Sequence, residues 1–540
     1  MTAGGAKYEG LTHPAQGELT GPRLILGAAT LHRRATAFVD LDRPDAAPES
    51  FGDHLDRSLR MVAHHRGKLG MSAQDRYSVL GRNSITMVNL WHVALLGGGT
   101  FNPLNTRLAP AEWEYILYSS GTRAIYLDGT HARAIADAKV AGRLPELRNL
   151  LAIDREAADI LGVAPFDQML DADPAEPPVV QECDPCALMY TGGTTGLPKG
   201  VVLNQRAVTL NFYRNAMAGV FVEPETLINC MPMFHIGSTL ASLWCLGGGT
   251  LYILGGFDAK AFLDAVEKHR ITSAAMAPSM IGMVLAHPEY RPERLGSLRF
   301  LAYGSSPMPA ATLERVLAEL PWIRLHQYYG MTEAAPILTL LAPRDHLRPE
   351  LRASAGRAVP GVEVSIRKAD GSVAAAGEVG EICARSGSIM VGYLNDPVAT
   401  RTALRDGWYH SGDGGYLDED GYLFIVDRMK DMIVSGGENV YSAEVENAIG
   451  SHPAVAQVAV IGIPHEKWGE AVHAVIVCKP GVERPEAADI IAHCKTSIAS
   501  YKAPKSVEYI DGPLPMSGIM KVQKAKLREP HWAGHERRVG

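Results

Sequence analysis

The residues best suited to chemistry are gathered between Tyr190 and Gly200, where the chain reads YTGGTTGLPKG. Gly192, Gly193 and Gly196 let a backbone approach an anion closely and reach positive φ. Thr191, Thr194 and Thr195 offer hydroxyl donors, and Lys199 supplies charge. The stretch is not a Walker A loop, because Lys199 is followed by Gly200 rather than by Ser or Thr. A glycine-rich turn between strands could have a similar composition. The apolar ALMY run before the loop and the density of threonines favour anion binding instead.

The loop resembles the signature of the adenylate-forming superfamily, which includes acyl-CoA synthetases, luciferases and nonribosomal peptide adenylation domains. The acyl-CoA synthetase and fatty-acid–CoA ligase branch is the one it points to, and further motifs follow in the family's order. Tyr329–Glu333 reads YGMTE and is similar to the second signature. The resemblance implies that Tyr329 stacks on adenine beside Gly330 and that the Thr332 hydroxyl reaches the α-phosphate. It also implies that Glu333 holds Mg2+, offsetting charge as pyrophosphate leaves. Gly304, Ser305 and Ser306, within YGSSP, match the adenine loop. Asp413, within YHSGDGGY, resembles the ribose-binding aspartate, and Arg428 the second ribose contact. Lys430 falls at the family's hinge, while Ser435, Gly436 and Gly437 fall in the loop expected to face the acyl group and pantetheine. Leu514–Arg528 aligns without a gap to the pattern carrying the adenylation lysine, which puts that role on Lys521. An ammonium there bridges carboxylate and phosphate oxygens in the first transition state. The residue before that lysine is usually glycine and here is Met520, a departure that loosens the expected loop geometry. The match runs from SFGDHLDRSLRMVAHHRGKLG, near residue 50, to the end of the chain.

Met231–Gly237 reads MPMFHIG and leads into the family's acyl pocket, with His235 similar to the aromatic residue beside the substrate carboxylate. Trp244 and Tyr303 are expected to line the same pocket. Amino-acid-activating relatives place an aspartate here to pair with the substrate ammonium, since a buried unpaired charge costs several kcal/mol. No acidic residue occurs between Glu225 and Asp258, which argues against an α-amino acid substrate. An apolar lining suits a fatty, aryl or alicyclic acid, with a medium- or long-chain fatty acid as the leading expectation.

These motifs need a scaffold. The chain has 540 residues, beyond what one core usually serves, so at least two domains are expected. It is 46% hydrophobic and 21% charged with net charge −7, so nothing global points to nucleic acid or to an anionic membrane. Apolar β-type runs at Ala124–Leu127, Ala274–Ala277 and Phe300–Ala302 alternate with amphipathic stretches at Ala261–Arg270 and Ala310–Leu320, the pattern of an α/β protein with parallel strands covered by helices. Turn punctuation between Gly356 and Tyr422 predicts a small β subdomain. Beyond Asp427 the pattern predicts a compact α+β domain, with a helix from Ser442, strands at Val458–Ile463 and Ala471–Val477, and a helix at Pro485–Ser497. The expected division is 1–427 for the adenylation domain and 428–540 for a mobile lid. The uncharged stretch from Thr226 to Phe257 is long enough to span a bilayer, but Pro232, His235 and its glycines break it into strand, helix and strand of a buried core.

The seven cysteines are scattered, and Cys183 and Cys186 lack a second pair at zinc-like spacing, so reduced thiols are expected. The first residues, MTAGGAKYEG, lack the apolar core of a signal peptide, which points to the cytoplasm. The expected partners are ATP with Mg2+, CoA as co-substrate and a small carboxylic acid, with no nucleic acid, no transmembrane segment and a homodimer as an open expectation.

Overall fold

The computed structural model describes residues 19–43, 45–164, 166, 170–171, 173–176, 179–191, 198–217, 225–235, 245–428, 431–435, 438–516 and 522–533. It is a mixed α/β structure built on two large sheets, a small antiparallel sheet and a separate C-terminal sheet.

The first large sheet has seven strands, with Arg76–Leu80, Thr100–Pro103, Ala124–Leu127, Asn149–Ala152 and Pro185–Thr191 parallel. Lys199–Asn204 folds back antiparallel on Pro185–Thr191, and Gly392–Tyr393 closes that edge. The second has nine strands, whose parallel centre runs Arg324–Tyr329, Phe300–Gly304, Ser273–Met276, Thr226–Asn229, Thr250–Ile253 and Thr36–Asp40.

Helix Ile85–Leu95 shows why the two sheets stack. Its sequence, ITMVNLWHVAL, is apolar on nearly every face, and Met87 through Leu95 are all buried. A helix of that kind needs protein on all sides. It lies in a core that also takes in Tyr77 and Val79 of the first sheet and Phe38, Leu227 and Leu251 of the second. Amphipathic helices cover the outer faces: Pro110–Ser120, Gly129–Val140 and Arg155–Leu161 over the first sheet, and Ala259–His269, Pro278–Ala286 and Ala310–Glu319 over the second.

The small sheet comprises Glu363–Arg367, Gly380–Arg385, Leu404–Arg405, Trp408–Leu417 and Leu423–Arg428, all antiparallel. Past it, Ile433–Ser435, Glu438–Val440, Val455–His465, Gly469–Cys478 and Ser506–Tyr509 form the C-terminal sheet. That sheet has a core of its own, including Ile433, Val445, Val472 and Ile490. Among the described residues no helix is long and apolar enough to cross a membrane.

A buried histidine inside the stacked layers is satisfied on both ring nitrogens. His65 Nδ1 lies 2.7 Å from the Gly98 carbonyl and its Nε2 2.8 Å from the Tyr126 hydroxyl, an arrangement that suits a neutral ring. Burial pushes His65 down to about 4, and burial likewise brings His326 to about 4. An unfolded chain protonates both near 6.5, so between about pH 6.5 and 4 the unfolded state holds the extra protons and stability falls with falling pH. Fully developed, each group contributes on the order of 3 kcal/mol. Melting temperature should drop steadily from pH 7 to pH 4.5, with uptake of about two protons or more on unfolding near pH 5. A flat profile over that range would contradict this reading.

Candidate active site

Most of the motif residues sit at one kind of place, the carboxyl ends of parallel strands, where open α/β sheets bind ligands. Thr191 ends its strand and pairs across the hairpin with Lys199, so the two bracket the glycine-rich loop. Gly304 and Tyr328 are partners at the ends of adjacent parallel strands, which sets Ser305 and Ser306 beside Tyr329 and Gly330. His235 follows the carboxyl end of Thr226–Asn229.

The backbone is built for close approach. A Cβ on Gly330 would fall 1.8 Å from the Pro336 carbonyl oxygen, and one on Gly304 would fall 2.6 Å from that of Tyr328. Ser305 holds φ at 70°, a left-handed conformation uncommon outside glycine. Strain of this kind collects at ligand sites.

Side chains then tie the segments together. The Tyr393 hydroxyl donates to Glu333 Oε1 at 2.9 Å, and Lys199 Nζ stands 5.3 Å from the centre of the Tyr393 ring. Tyr393 reaches this position because its short strand pairs with Lys199–Asn204, with Tyr393 opposite Val201. Glu333, only 9% exposed, sits in the turn Thr332–Ala334, and its carbonyl accepts from Met390 N at 2.7 Å. On the other side, Tyr329 donates to Asp413 Oδ2 at 2.9 Å. Asp413 pairs in register with Arg428. Tyr409 lies among them: burial, and then the carboxylate of Glu333, hold its hydroxyl well above the ordinary tyrosine range, with Tyr393, Asp413 and Tyr329 adding to the shift. Burial and Glu333 likewise raise Tyr393, so it remains a hydrogen-bond donor at neutral pH.

The His235 ring packs 4.7 Å, centre to centre, against Phe234, and its backbone N–H donates to the Pro232 carbonyl. Burial, helped by the charge of Arg107, lowers its imidazole to about 3, so the ring is neutral at physiological pH. Asn83 fixes this segment from the neighbouring sheet. Its amide donates to the carbonyls of Met231 (2.9 Å) and Leu254 (3.0 Å) and accepts from Met233 N at 2.8 Å.

Other expected residues are placed differently. Tyr303 is 2% exposed and packed with Leu301 and Leu325, its hydroxyl 3.0 Å from Gln327 Oε1 and 2.9 Å from His346 Nε2. Ser435 belongs to the C-terminal sheet, opposite Glu438 and Gly469. Gly192, Gly193, Thr194, Thr195, Gly196, Trp244, Lys430, Gly436, Gly437, Met520 and Lys521 lie outside the described residues.

Comparison with known proteins places this geometry. Residues 27–394 match the model of the AMP-binding enzyme family, and residues 444–521 match that of the AMP-binding enzyme C-terminal domain. The chain belongs to the AMP-binding enzyme family. It is 38% identical to a feruloyl-CoA synthase of an Amycolatopsis species over 88% of this chain and 92% of that protein. It is 35% identical to the fatty acid–[acyl-carrier-protein] ligase ScoC of Streptomyces coeruleorubidus, over 90% of this chain and 92% of that one. A Mycobacterium tuberculosis fatty acyl CoA synthetase superposes with a TM-score of 0.73 at 31% identity, over 96% of this chain and 99% of that chain. The chain is accordingly an adenylate-forming acid–thiol ligase of the acyl-CoA synthetase type.

For an AMP-binding enzyme the meaning of the tyrosines is direct. Lys199, Tyr393, Glu333, Tyr409, Asp413 and Tyr329 form one connected cluster that joins the glycine-rich hairpin, the YGMTE segment and the strand Trp408–Leu417. Tyr393, Tyr409 and Asn83 were not found from the sequence. Each acts alone on a partner distant in the chain, so no local spacing marks it. Tyr393→Phe should reduce acid-dependent ATP–pyrophosphate exchange about 10- to 100-fold, because a hydrogen bond to a charged carboxylate contributes roughly 1.5–3 kcal/mol. Measurement against Glu333→Gln checks it: an exchange rate unchanged in Tyr393→Phe would show that the tyrosine does not position Glu333.

Proposed function

We propose that this enzyme activates an apolar carboxylic acid, foremost a medium- or long-chain fatty acid, as its acyl-adenylate and transfers the acyl group to CoA. The observation that carries the reading is the linkage just described, in which Lys199, Glu333 and Asp413 are brought into one cluster through Tyr393, Tyr409 and Tyr329.

In the first half-reaction a carboxylate oxygen bonds to the α-phosphorus of ATP and the bond to the bridging oxygen of pyrophosphate breaks. Lys199 and the 191–196 loop hold the β- and γ-phosphates, and Thr332 donates to the α-phosphate. Tyr329 and the 304–306 turn hold the adenine, and Asp413 with Arg428 holds the ribose. The hard carboxylate oxygens of Glu333 would hold Mg2+, which would supply charge compensation for the departing pyrophosphate. Lys521 completes the site by bridging carboxylate and phosphate oxygens. His235 lies beside the acid as a neutral ring, with Trp244 further along the pocket and Tyr303 backing its floor.

In the second half-reaction the C-terminal lobe, 428–540, turns about Lys430, withdraws Lys521 and presents Ser435, Gly436 and Gly437. The deprotonated thiol of CoA attacks the acyl carbon and AMP leaves. Closures of this type gate many enzymes. The setting is the cytoplasm, where thiols stay reduced.

A second substrate class has its own support: the likeness to a feruloyl-CoA synthase favours an aryl acid. The likeness to ScoC favours a carrier-protein thiol as acceptor in place of CoA. A panel of aliphatic, aromatic and steroid-side-chain acids, read as AMP release with CoA present and with products identified by mass spectrometry, separates these. The fatty reading expects the highest kcat/KM among aliphatic acids, and it fails if aryl acids lead. Absence of acid-dependent exchange across the whole panel would overturn adenylation itself.

The division of labour is tested separately. Lys521→Ala should abolish adenylate formation while leaving thioester formation from supplied acyl-AMP nearly intact. Equal loss in both assays would refute it.

A further inference from the structure

The C-terminal domain holds a second cluster of donors that adenylation does not use. His473 on strand Gly469–Cys478 is opposite Ser506 on the parallel strand Ser506–Tyr509, and Glu508, two residues on, faces the same side of the sheet. Helix Lys524–Trp532 covers that side through Leu527, which packs with Ala459, Ile461 and Val475. His531 is four residues beyond Leu527 and so shares its helical face.

Three donor atoms, one from each residue, all lie within 4.8 Å of one another. His473 Nε2 is 3.4 Å and His531 Nε2 3.7 Å from Glu508 Oε2. Zinc–nitrogen and zinc–oxygen bonds of roughly 2.0–2.2 Å put two donors on a tetrahedral ion about 3.3–3.5 Å apart. The two separations are close to those of ligands around an ion and are long for strong direct hydrogen bonds. Ser506 Oγ lies 2.7 Å from His473 Nδ1. That bond fixes the other ring nitrogen and turns the Nε2 lone pair toward the cluster, as outer partners of metal-bound histidines do. Burial, and then the neighbouring His531, oppose protonation of His473, although Glu508 favours it. No lysine or arginine is among the groups acting on His473.

A second candidate, Glu381 with Cys383 and His410, differs on each point. His410 Nδ1 is already 2.7 Å from Glu381 Oε2, and Arg405 stands 3.1 Å from the same oxygen. Burial pushes the Cys383 thiol up to about 12. That cluster braces the strand that carries Asp413.

We propose that His473, Glu508 and His531 bind a divalent transition-metal ion of the zinc type, which staples the C-terminal helix to the C-terminal sheet. Two imidazoles and one carboxylate select such an ion over Mg2+ or Ca2+. The staple has a purpose in this chain. A nine-residue helix is too short to be stable alone. This one is held by Arg528 on Asp431, by Lys524 on Glu446 at 2.7 Å, and by Trp532 Nε1 on the Gly462 carbonyl at 2.9 Å. It begins two residues after Val522, which bridges to Met516 across the segment containing Lys521. An ion at His531 therefore fixes the strut directly behind the adenylation lysine.

The test uses the untagged full chain, stripped with a chelator and titrated with Zn2+ by calorimetry and with Co2+ by visible absorption. The expected result is one equivalent of either metal and cobalt d–d bands without thiolate-to-cobalt charge transfer. Binding is lost in Glu508→Gln and in His531→Ala, and is weakened about tenfold in Ser506→Ala. The proposal is overturned by absence of stoichiometric binding, by binding unchanged in Glu508→Gln, or by a thiolate band that disappears in Cys383→Ser. Glu508 is exposed, so its glutamine variant serves as the deciding one should His531→Ala fail to fold.

Discussion

The whole arrangement turns on one buried carboxylate. Glu333 sits almost out of solvent, where an unpartnered charge is costly. The Tyr393 hydroxyl meets that cost, and the strand carrying Tyr393 is hydrogen-bonded to the returning arm of the phosphate-loop hairpin. The position of Glu333 is thereby tied to the position of the loop. A displacement of the hairpin would move the carboxylate with it, because Met390, two residues before that short strand, also donates its N–H to the Glu333 carbonyl. Geometry between the hairpin and the carboxylate is held by backbone pairing together with the Tyr393 hydrogen bond.

The stacked sheets make this possible. With helix Ile85–Leu95 filling the space between them, the carboxyl edges of two independent parallel sheets come to border one site. Asn83 stands just ahead of that helix and bonds to three backbone groups that belong to, or follow, strands of the second sheet. A serine or alanine could not satisfy two carbonyls and one N–H at once. The segment leading to His235 is thus referenced to the first sheet, as the glycine-rich loop is.

Much of this was legible in the chain. The glycine-rich loop stood out by its own composition, whereas YGMTE and the segment around Asp413 carried meaning only through their resemblance to the family's ordered motifs; Asp413 itself lies within strand Trp408–Leu417. The amphipathic helices were placed within a few residues, and the departures have local causes. The helix expected at Pro485–Ser497 runs only from Ala487 to Lys495, because Glu486 takes the cap position and Thr496 ends the regular turn. Tyr303 was taken for pocket lining on the strength of its motif. Strand alternation instead turns its ring to the layer of Leu301 and Leu325, where Gln327 and His346 satisfy its hydroxyl. Tyr393, Asn83 and the buried Glu49–His54–His92 chain left no trace in the sequence. Their meaning comes from partners that only the folded sheets bring near.

The same physics sorts what the pocket discriminates strongly from what it discriminates weakly. Around His235 the ring is neutral, the stretch from Thr226 to Phe257 carries no acidic side chain, and the nearest charge acting on the imidazole is positive. An incoming carboxylate meets a favourable field, whereas an ammonium would be desolvated without a partner at a cost of several kcal/mol. At about 1.4 kcal/mol per factor of ten, a penalty of that size at the proposed site would disfavour α-amino acids by orders of magnitude. One methylene more or less changes binding by only about 1–3 kcal/mol, and aryl and alkyl chains bury similar surface. On the proposed reading, the charge class of the substrate is set by what the sequence leaves out, while chain length and shape are left to packing in the acyl pocket.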